Sequence, residues 1–469
     1  MARNPSTRIG SNSPRHTPAR RAPIFRAIFA VCALAAAVAS AEDAPPFALF
    51  DVVDNGPPPA NVPEIEPWKT IALEADFGGQ WLVAGDVDGD GAVDIVSAEN
   101  FNEGDVHFTS AVAAQRLDGS TIWTWGRPEI GRKTWHHDVA CQIADWDGDG
   151  RNEVVVCDES DIVEIDGATG AEKRRIPIEK GATDCIVFCD LAGKGRASDV
   201  LVKDRYENIW AYNQAGELLW HVNLPGGYRT AHQPRPMDID GDGRDEIMAG
   251  FAMLNPDGSV RWVYESKTTD LHRGHLDCAR LMAMSENLDE VRIALTCCGA
   301  NNIAVVDGRG RPIWEYAGHH FESLQLAEIV PGLPGPQILV DIDHRPPGEG
   351  PLWVFDAEGN RLGQIMTRYA RHHRLVDWTG DGFAEILNGD NRAIYNASGA
   401  RIATLAIPGA RQDGEPSFEM SILLGDCDGD GRQDAILVTP DRAFIYRNES
   451  GARPETPPPA GTEPNVTLY

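Results

Sequence analysis

The sequence predicts an all-β protein, an eight-bladed β-propeller, from three observations. An Asp- and Gly-rich string recurs along the chain at a nearly constant interval, short apolar runs separated by turns follow each copy, and no clear helical stripe interrupts them. A repeat of about 47 residues with this pattern is typical of a four-stranded antiparallel blade. A seven-bladed ring is the alternative.

The repeat carries acidic residues at positions 1, 3, 5 and 9 and glycine at positions 4 and 6. Complete copies begin at Asp86, Asp145, Asp238 and Asp426. A weaker copy begins at Asp377, and degenerate copies begin near 190, 284 and 328. Because these starts follow one another at similar spacing, eight units cover most of the chain.

These loops predict calcium sites. Carboxylates at alternate positions around two glycines can converge on a hard, oxygen-preferring cation. An EF-hand would need a helix on each side, whereas each loop here runs into a β-type segment such as 154–156. In the third unit we expect the ammonium of Lys194 to replace an ion. The predicted ligands are Asp86, Asp88, Asp90, Asp94, Asp145, Asp147, Asp149, Glu153, Asp238, Asp240, Asp242, Glu246, Asp377, Asp381, Glu385, Asp426, Asp428, Asp430 and Asp434.

The ends of the chain differ from the repeats. Residues 1–41 contain six Arg, no acidic residue, an apolar run and an A-x-A-like site, which predicts a signal peptide and a secreted or periplasmic protein; an uncleaved anchor is the alternative. No later stretch is apolar enough for a membrane helix. We expect a Pro-rich linker over 42–67, a propeller over 68–448 closed by an early strand near 68–73, and a disordered tail over 449–469.

Charge and cysteine content narrow the function classes. The formal net charge of −29 excludes a polybasic nucleic-acid binder. Cys141 and Cys185 fall at nearly the same place in successive repeats, so a disulfide between neighbouring strands and two free thiols are both open. The vicinal Cys297 and Cys298 are expected to be reduced. We expect a monomer.

A turn followed by Trp recurs in four units. The indoles fall at one equivalent place, where we expect them to pack between adjacent blades; stacking on a ligand is the alternative. They are Trp123, Trp220, Trp262 and Trp314.

Histidines recur at a second fixed position in the repeats, just before the first strand of a blade. The residues just before each blade's first strand should lie at the mouth of the central channel opposite the Asp loops, and nine of the thirteen His fall in such segments. The same segments contain Lys133, Arg229, Arg273, Arg368, Arg371 and Arg374, which would make one mouth of an acidic protein basic and attractive to an anion. The alternative is that these arginines only balance nearby acids.

An anionic ligand and neutral-range bases in an exported calcium propeller predict an acidic polysaccharide as partner. Cleavage of a uronate chain by β-elimination needs a positive charge at the carboxylate, a base for the C5 proton and an acid for the departing oxygen. Hydrolysis would use two carboxylates instead, and Asp138, Asp277 and Glu322 keep that alternative open.

Residues 232–277 resemble the rhamnogalacturonan lyases of polysaccharide lyase family 11, which are eight-bladed calcium propellers. The similarity lies in the loop from Asp238 and in the Gly-His-Leu-Asp string that ends at Asp277, where the family has Gly-His-Gly-Asp. It implies functional positions at His232, Gly274, His275 and Asp277. The calcium loops are also shared with non-catalytic FG-GAP-type domains, and residues 203–210 are similar to propeller lyases such as ulvan lyases.

The expected function is therefore a secreted lyase acting on a uronate-containing, rhamnogalacturonan-like polysaccharide. His275 or His232 would remove the C5 proton, Arg229 would neutralise the carboxylate, and Tyr206 or His137 would protonate the leaving oxygen. The expected substrate-binding residues are His136, Arg273, Asp277, His319, His320, Glu322, Arg371, His372 and His373. A non-catalytic propeller that binds carbohydrate or protein is the main alternative, and a quinoprotein dehydrogenase is a weaker one.

Overall fold

The computed structural model describes residues 49–104, 106–131, 139–408, 420–451, 453 and 460–469, and it forms eight antiparallel blades in a ring. This confirms the eight-bladed propeller. The strands that precede and build blades 1 to 4 are β1 (Phe50–Asp54), β2 (Glu64–Ile65), β3 (Lys69–Ala72), β4 (Trp81–Gly85), β5 (Asp94–Glu103), β6 (Val106–Arg116), β7 (Thr121–Gly126), β8 (Cys141–Ala144), β9 (Glu153–Asp158), β10 (Asp161–Asp166), β11 (Glu172–Pro177), β12 (Ile186–Cys189), β13 (Asp199–Lys203), β14 (Asn208–Tyr212), β15 (Leu218–Asn223), β16 (Thr230–Met237), β17 (Glu246–Gly250), β18 (Ala252–Leu254) and β19 (Val260–Val263).

Blades 5 to 8 repeat the same order, and β35 follows them. Their strands are β20 (His275–Ala283), β21 (Arg292–Cys298), β22 (Asn302–Val306), β23 (Pro312–Ala317), β24 (Phe321–Ala327), β25 (Gln337–Ile342), β26 (Gly350–Phe355), β27 (Arg361–Thr367), β28 (His373–Val376), β29 (Glu385–Asn388), β30 (Ala393–Tyr395), β31 (Arg401–Leu405), β32 (Ser421–Asp426), β33 (Asp434–Val438), β34 (Arg442–Tyr446) and β35 (Gly461–Thr462). Short 3-10 turns at Pro128–Ile130, Pro225–Gly227 and Leu271–Arg273 are the helical segments among the described residues.

Residues before the first repeat join blades at the far end of the chain. Strand β3 pairs antiparallel with β34 and supplies the fourth strand of blade 8, which is the closing strand expected near 68–73. Strands β1 and β2 add to the outer edges of blades 6 and 7 by parallel pairing with β27 and β31. The described part of the 42–67 segment therefore extends the sheets, where the sequence predicts only a linker.

From blade 1 to blade 8 the first strands of consecutive blades contact one another, and β35 contacts the first strands of both blade 8 and blade 1, so these strands line the central channel. Because every blade is antiparallel, the start of the first strand and the hairpin between the second and third strands lie at one mouth, and the Asp loops lie at the other. Apolar side chains of adjacent blades form the cores between them, as in the cluster of Met248 and Met253 with Ile293 and Ala304.

The four repeated tryptophans pack between blades, as expected. Each indole N–H donates to a backbone carbonyl in the outer turn of the next blade, at 2.6 to 3.0 Å. A glycine with positive φ in that turn lies against each ring, and a Cβ there would approach ring atoms to 2.8 Å or less. The pairs are Trp123 with Gly170, Trp220 with Gly258, Trp262 with Gly310, and Trp314 with Gly359.

The Asp loops share one backbone geometry. The first carboxylate of each accepts hydrogen bonds from the N–H groups of both loop glycines, as Asp238 does from Gly241 at 2.7 Å and from Gly243 at 3.0 Å. The glycines have positive φ, 75° at Gly241 and 84° at Gly243, which explains the glycine at positions 4 and 6. The repeat therefore encodes a tight turn that brings alternate acids together.

The end of the chain differs from the expected disordered tail over 449–469. Strand β35 pairs with β32, and residues 464–469 continue into the channel, where Val466, Leu468 and Tyr469 are buried. Side chains of the channel wall bind this segment: the Gln142 amide donates to the Val466 carbonyl at 3.0 Å, and Asn465 exchanges hydrogen bonds with the backbone of Phe188. Apolar residues near the end of the chain therefore find a core inside the ring.

Two further expectations concern the cysteines and the leader. Cys141 and Cys185 are both free thiols, so no disulfide joins them, and Cys297 and Cys298 are likewise reduced. The predicted signal peptide over 1–41 lies outside the described residues. Within the part of the chain that the structure describes, no helix has the length and apolar character needed to span a membrane.

Candidate active site

Two histidines and an aspartate meet at the mouth opposite the Asp loops. His232 lies in β16, where the pairing with β17 is interrupted between Thr230 and Arg235. His275 begins β20, and Asp277 lies on the same face of that strand two residues later. Gly274 is required before His275, because a Cβ there would lie 1.6 Å from the Cys298 carbonyl oxygen.

These three side chains form a buried triangle. The Nε2 atoms of His232 and His275 lie 3.4 and 3.1 Å from Oδ1 of Asp277, and the two imidazole centroids are 4.6 Å apart. Burial, followed by the charge of Arg205, holds the pKa of His232 well below its usual value. Burial and the neighbouring His232 lower the pKa of His275 to about 2. Both imidazoles are therefore neutral at neutral pH.

Asp277 has no exposed surface, and burial together with the nearby Glu322 carboxylate raises its pKa well above the usual range. Both of its carboxylate oxygens, and Nε2 of His275, lack a well-aligned hydrogen bond among the described residues. The ligand atoms of His232, His275 and Asp277 lie within 4.8 Å of one another, a spacing that suits a metal ion. Two neutral imidazoles and a carboxylate are also donors that divalent transition metals accept.

A second group of side chains adjoins this triangle. Nε2 of His320 lies 3.0 Å from Sγ of Cys298 and 2.9 Å from Oε2 of Glu322, and Arg371 donates to Glu322 at 3.2 Å. Burial would raise the pKa of Glu322, but the hydrogen bond from His320 and the charge of Arg371 outweigh it, so this pKa is lowered. Glu322 is thus an ionised carboxylate held between two basic groups. Arg371 also pairs with Asp343.

The hairpin between β13 and β14 brings Arg205 and Tyr206 over the triangle. The centroid of the Tyr206 ring lies 4.6 Å from that of His275 and 5.9 Å from that of His232. The guanidinium carbons of Arg205 and Arg229 lie 5.1 and 5.4 Å from the Tyr206 centroid. One phenol is therefore flanked by two imidazoles and two guanidiniums.

Two buried side chains hold this hairpin. The ammonium of Lys203, which is fully buried, donates to Asp184 at 2.7 Å and to the Arg205 carbonyl at 2.9 Å. Asp184 also accepts from Arg205 at 3.2 Å. Because the carboxylate of Asp184 binds both cations, it fixes the backbone and the guanidinium of Arg205 together.

Several predicted residues lie away from this cluster. His319 packs against Trp353, with centroids 4.8 Å apart, and Arg273 is exposed at the end of the 3-10 turn before β20. His372 and His373 are both buried. Nδ1 of His372 lies 3.1 Å from a carboxylate oxygen of Asp390, and Nδ1 of His373 lies 3.0 Å from the Ala370 carbonyl oxygen. Neighbouring side chains of the described residues cover both imidazoles, which favours a packing role over the predicted contact with substrate. His136, His137 and Asp138 lie outside the described residues.

The site also contains residues that the histidine register did not identify: Lys203, Arg205, Asp184, Cys298 and Asp343. Four of them lie in or beside the hairpins between second and third strands. The sequence could have identified these four residues, because an antiparallel blade places the hairpin between its second and third strands at the same mouth as the start of its first strand. Asp184 lies just before β12, the first strand of its blade, which is the position that the histidine register also selects.

At the other mouth, acidic groups of the Asp loops converge as a cation site requires. The ligand oxygens of three loops lie within 4.8 Å of one another: Asp86, Asp88 and Asp90; Asp145, Asp147 and Glu153; and Asp238, Asp240 and Glu246. Basic side chains from outer strands also reach the position-3 acids, as Arg261 does to Asp240 at 2.7 Å. In the third unit, burial raises the pKa of Asp199 and the nearby Lys194 opposes this rise, so Lys194 supplies positive charge there.

Comparison with known proteins identifies relatives along most of the chain. A family model of the FG-GAP-like repeat matches residues 86–156. The chain is 23% identical over 461 residues to the rhamnogalacturonan exolyase YesX of Bacillus subtilis, covering 82% of this chain and 72% of the relative. It is 24% identical over 470 residues to the rhamnogalacturonan endolyase YesW of the same organism, covering 81% and 70%.

A solved structure has the same fold. The rhamnogalacturonan lyase of family PL11 from Bacillus licheniformis superimposes with a TM-score of 0.56 at 19% identity, over 81% of this chain and 75% of that chain. The resemblance expected from residues 232–277 is thus confirmed. This chain is a β-propeller that contains an FG-GAP-like repeat and is similar to rhamnogalacturonan lyases along most of its length.

Proposed function

We propose that this protein is a polysaccharide lyase that cleaves a uronate-containing, rhamnogalacturonan-like chain by β-elimination. The observation that carries the proposal is the contact of Tyr206 with His275 and with the guanidiniums of Arg205 and Arg229 at one channel mouth. These groups supply the positive charge, base and acid that elimination beside a carboxylate requires. The named activity of the relatives supports the same class of reaction.

Arg205 is the better placed of the two arginines to neutralise the substrate carboxylate. Its positive charge already acts on both imidazoles, whereas Arg229, the residue expected from the sequence, is exposed and contacts the Tyr206 ring. Asp184 and Lys203 hold Arg205 in place before substrate arrives, which reduces the cost of ordering it on binding. We assign Arg229 a supporting contact with the carboxylate.

His275 or His232 accepts the C5 proton, and Tyr206 protonates the departing oxygen. A base must be unprotonated to act, and burial keeps both imidazoles neutral. A uronate carboxylate bound beside them would oppose the charge of Arg205 and raise their pKa values towards the working range. His137 remains a second candidate acid and lies outside the described residues.

The buried triangle also suits a divalent metal ion bound by His232, His275 and Asp277. Such an ion would add positive charge beside the substrate carboxylate. In a metal-loaded protein the two imidazoles serve as ligands, and Tyr206 is then the adjacent described side chain that can exchange a proton. The metal content of the purified protein decides between these two assignments.

Hydrolysis is less well supported. A hydrolase needs a protonated carboxyl group and a carboxylate on either side of the scissile bond. Asp277 and Glu322 have pKa values shifted in opposite directions, but Asp277 is fully buried and Glu322 is bound by His320 and Arg371. Each carboxyl group is thus engaged in contacts within the protein.

The remaining parts of the proposal are calcium and export. Convergent carboxylates in the Asp loops support calcium as a structural cofactor, and residues 1–41 support secretion or export to the periplasm. An acidic polysaccharide is the proposed partner. A monomer is proposed, since each blade finds its neighbours within the ring.

A panel of acidic and neutral plant and algal polysaccharides tests the proposal. Incubation with the purified protein should release products with an unsaturated uronate end, detected by ultraviolet absorbance, from an acidic polymer and not from a neutral one. Saturated products would indicate a hydrolase, and binding without any product would indicate a carbohydrate-binding propeller. Either result contradicts the lyase proposal.

A further inference from the structure

The central channel contains a cavity that lies deeper than the imidazole triangle. It has a volume of about 580 Å³ and is lined by the later residues of several first strands and by the segment 462–467. His232 and His275 are not among its lining residues, since the wall begins at Arg235 and Ala279, closer to the Asp-loop mouth. The cavity is therefore separate from the candidate active site.

Three arginines line this cavity. Arg235, Arg280 and Arg374 come from blades 4, 5 and 7, and of the described lining residues only Glu463 is acidic. Arg280 and Arg374 form no ion pair with any acidic side chain among the described residues. Each uses two N–H groups on main-chain oxygens: Arg280 donates to Ala279 at 3.2 Å and to Tyr469 at 2.8 Å, and Arg374 donates to His373 at 2.7 Å and to Thr467 at 2.8 Å.

Both guanidiniums therefore retain donors. A guanidinium has five N–H groups, so three remain on each side chain after these bonds. Arg374 is only 8% exposed. Burial and the neighbouring Arg280 lower its pKa to about 10, which shows that its surroundings do not favour the positive charge it still carries at neutral pH. The charge of Glu463 partly opposes this effect, but Glu463 forms no ion pair with Arg374 among the described residues, so an anion in the cavity would further offset the cost of burying the guanidinium.

We propose that Arg280 and Arg374, assisted by Arg235, bind a small oxyanion inside the channel, at a site distinct from the imidazole triangle. Forked guanidinium donors match the paired oxygens of carboxylate or sulfate. The volume admits a ligand as large as an acidic monosaccharide. In a chain with net charge −29, a cavity lined by three arginines and one acidic side chain is a favourable place for an anion.

Titration calorimetry of the whole protein with three probes tests this proposal: inorganic sulfate, galacturonate and the neutral sugar galactose. We expect sulfate or galacturonate to bind and galactose not to bind. Arg280→Gln and Arg374→Gln should each weaken anion binding by roughly tenfold or more, because each removes a charged hydrogen-bonding partner. If Arg374→Gln does not fold, Arg280→Lys tests the same point, since it keeps the charge but loses the fork.

Arg292→Gln is the matched control. Arg292 lies in the neighbouring strand β21 and also donates to backbone carbonyls, but it does not line the cavity. Binding that survives in the Arg292 variant and fails in the Arg280 variant supports the site, and preference for galacturonate or for sulfate then identifies the source of the oxyanion. No anion binding by the wild type, or equal affinity in all variants, overturns the proposal. Because binding is measured without turnover, the result is independent of lyase activity.

Discussion

The ring of Tyr469 stacks on the imidazole of His232, with centroids 4.5 Å apart and an angle of 21° between the planes. The phenol oxygen lies 3.4 Å from Nε2 of the same histidine. A residue from the channel segment thus covers one face of a side chain at the candidate active site. This contact connects the course of residues 460–469 to the proposed chemistry.

Replacing Tyr469 with alanine should destabilise the protein and uncover His232. Tyr469 is 1% exposed, so loss of its ring should lower the free energy of unfolding by about 3 kcal/mol. The Michaelis constant for an acidic polymer should fall, because the face of the imidazole becomes accessible. Tyr469→Phe keeps the ring and serves as the control; if both variants show the same Michaelis constant as the wild type, the stack does not limit access.

Substituting Gly310 should weaken the contact between blades 4 and 5. A Cβ at Gly310 would lie 2.4 Å from the Trp262 ring, and φ is 75°. We expect Gly310→Ala to lower the free energy of unfolding by about 2 kcal/mol or more, measured by denaturant titration. Gly335→Ala isolates the backbone effect, since Gly335 has φ of 72° with open space around it. Equal losses in the two variants would mean that the indole contact contributes nothing.

His373 should make the fold sensitive to acid. Burial lowers its pKa to about 3, against 6.5 for an unperturbed imidazole, so below pH 6.5 the unfolded chain binds a proton that the folded chain excludes. The stability that comes from burying the neutral imidazole of His373 is complete above pH 6.5 and is lost as pH falls below that value. Between pH 7 and pH 5 the wild type should lose about 2 kcal/mol more than His373→Leu. The exposed His221→Leu is the control; identical pH profiles for wild type and His373→Leu would refute the assignment.

Calcium should stabilise the protein through the Asp loops. Added calcium should raise the melting temperature, and a chelator should reverse the rise, because an ion bound only by the folded state stabilises it by about 2.7 kcal/mol per site at a hundredfold excess over Kd. The double variant Asp240→Asn, Asp242→Asn should show a smaller rise. Asp257→Asn alters an acid of the same blade outside the loop and should respond as the wild type does. A calcium response that is the same in all three proteins would place the ion elsewhere.

The architecture was predictable because the repeat contains residues that require particular backbone conformations. The two glycines and the first carboxylate of each Asp loop, such as Gly241, Gly243 and Asp238, mark the spacing of the repeats. The indole that packs against the next blade, as Trp262 does, determines how neighbouring units pack. The course of 460–469 was not predictable, since its burial depends on partners such as Gln142 and Phe188 that are hundreds of residues away in sequence.

The site was predictable only in part, and for a physical reason. The register before each first strand identified His232, His275 and Asp277, which meet as expected. It also selected His372 and His373, because a position along the channel does not determine whether a side chain points to solvent or into a blade. It missed Arg205 and Cys298, which reach the same mouth from the hairpin between second and third strands.

The rate at which His275→Ala releases unsaturated products from an acidic polymer cleaved by the wild type tests the central claim most directly. The account predicts a fall of about a hundredfold or more, as expected for loss of a general base or of a ligand that holds the catalytic ion. His221→Ala, on an outer strand, should retain the wild-type rate. Full activity in both His275→Ala and His232→Ala would contradict the proposed active site.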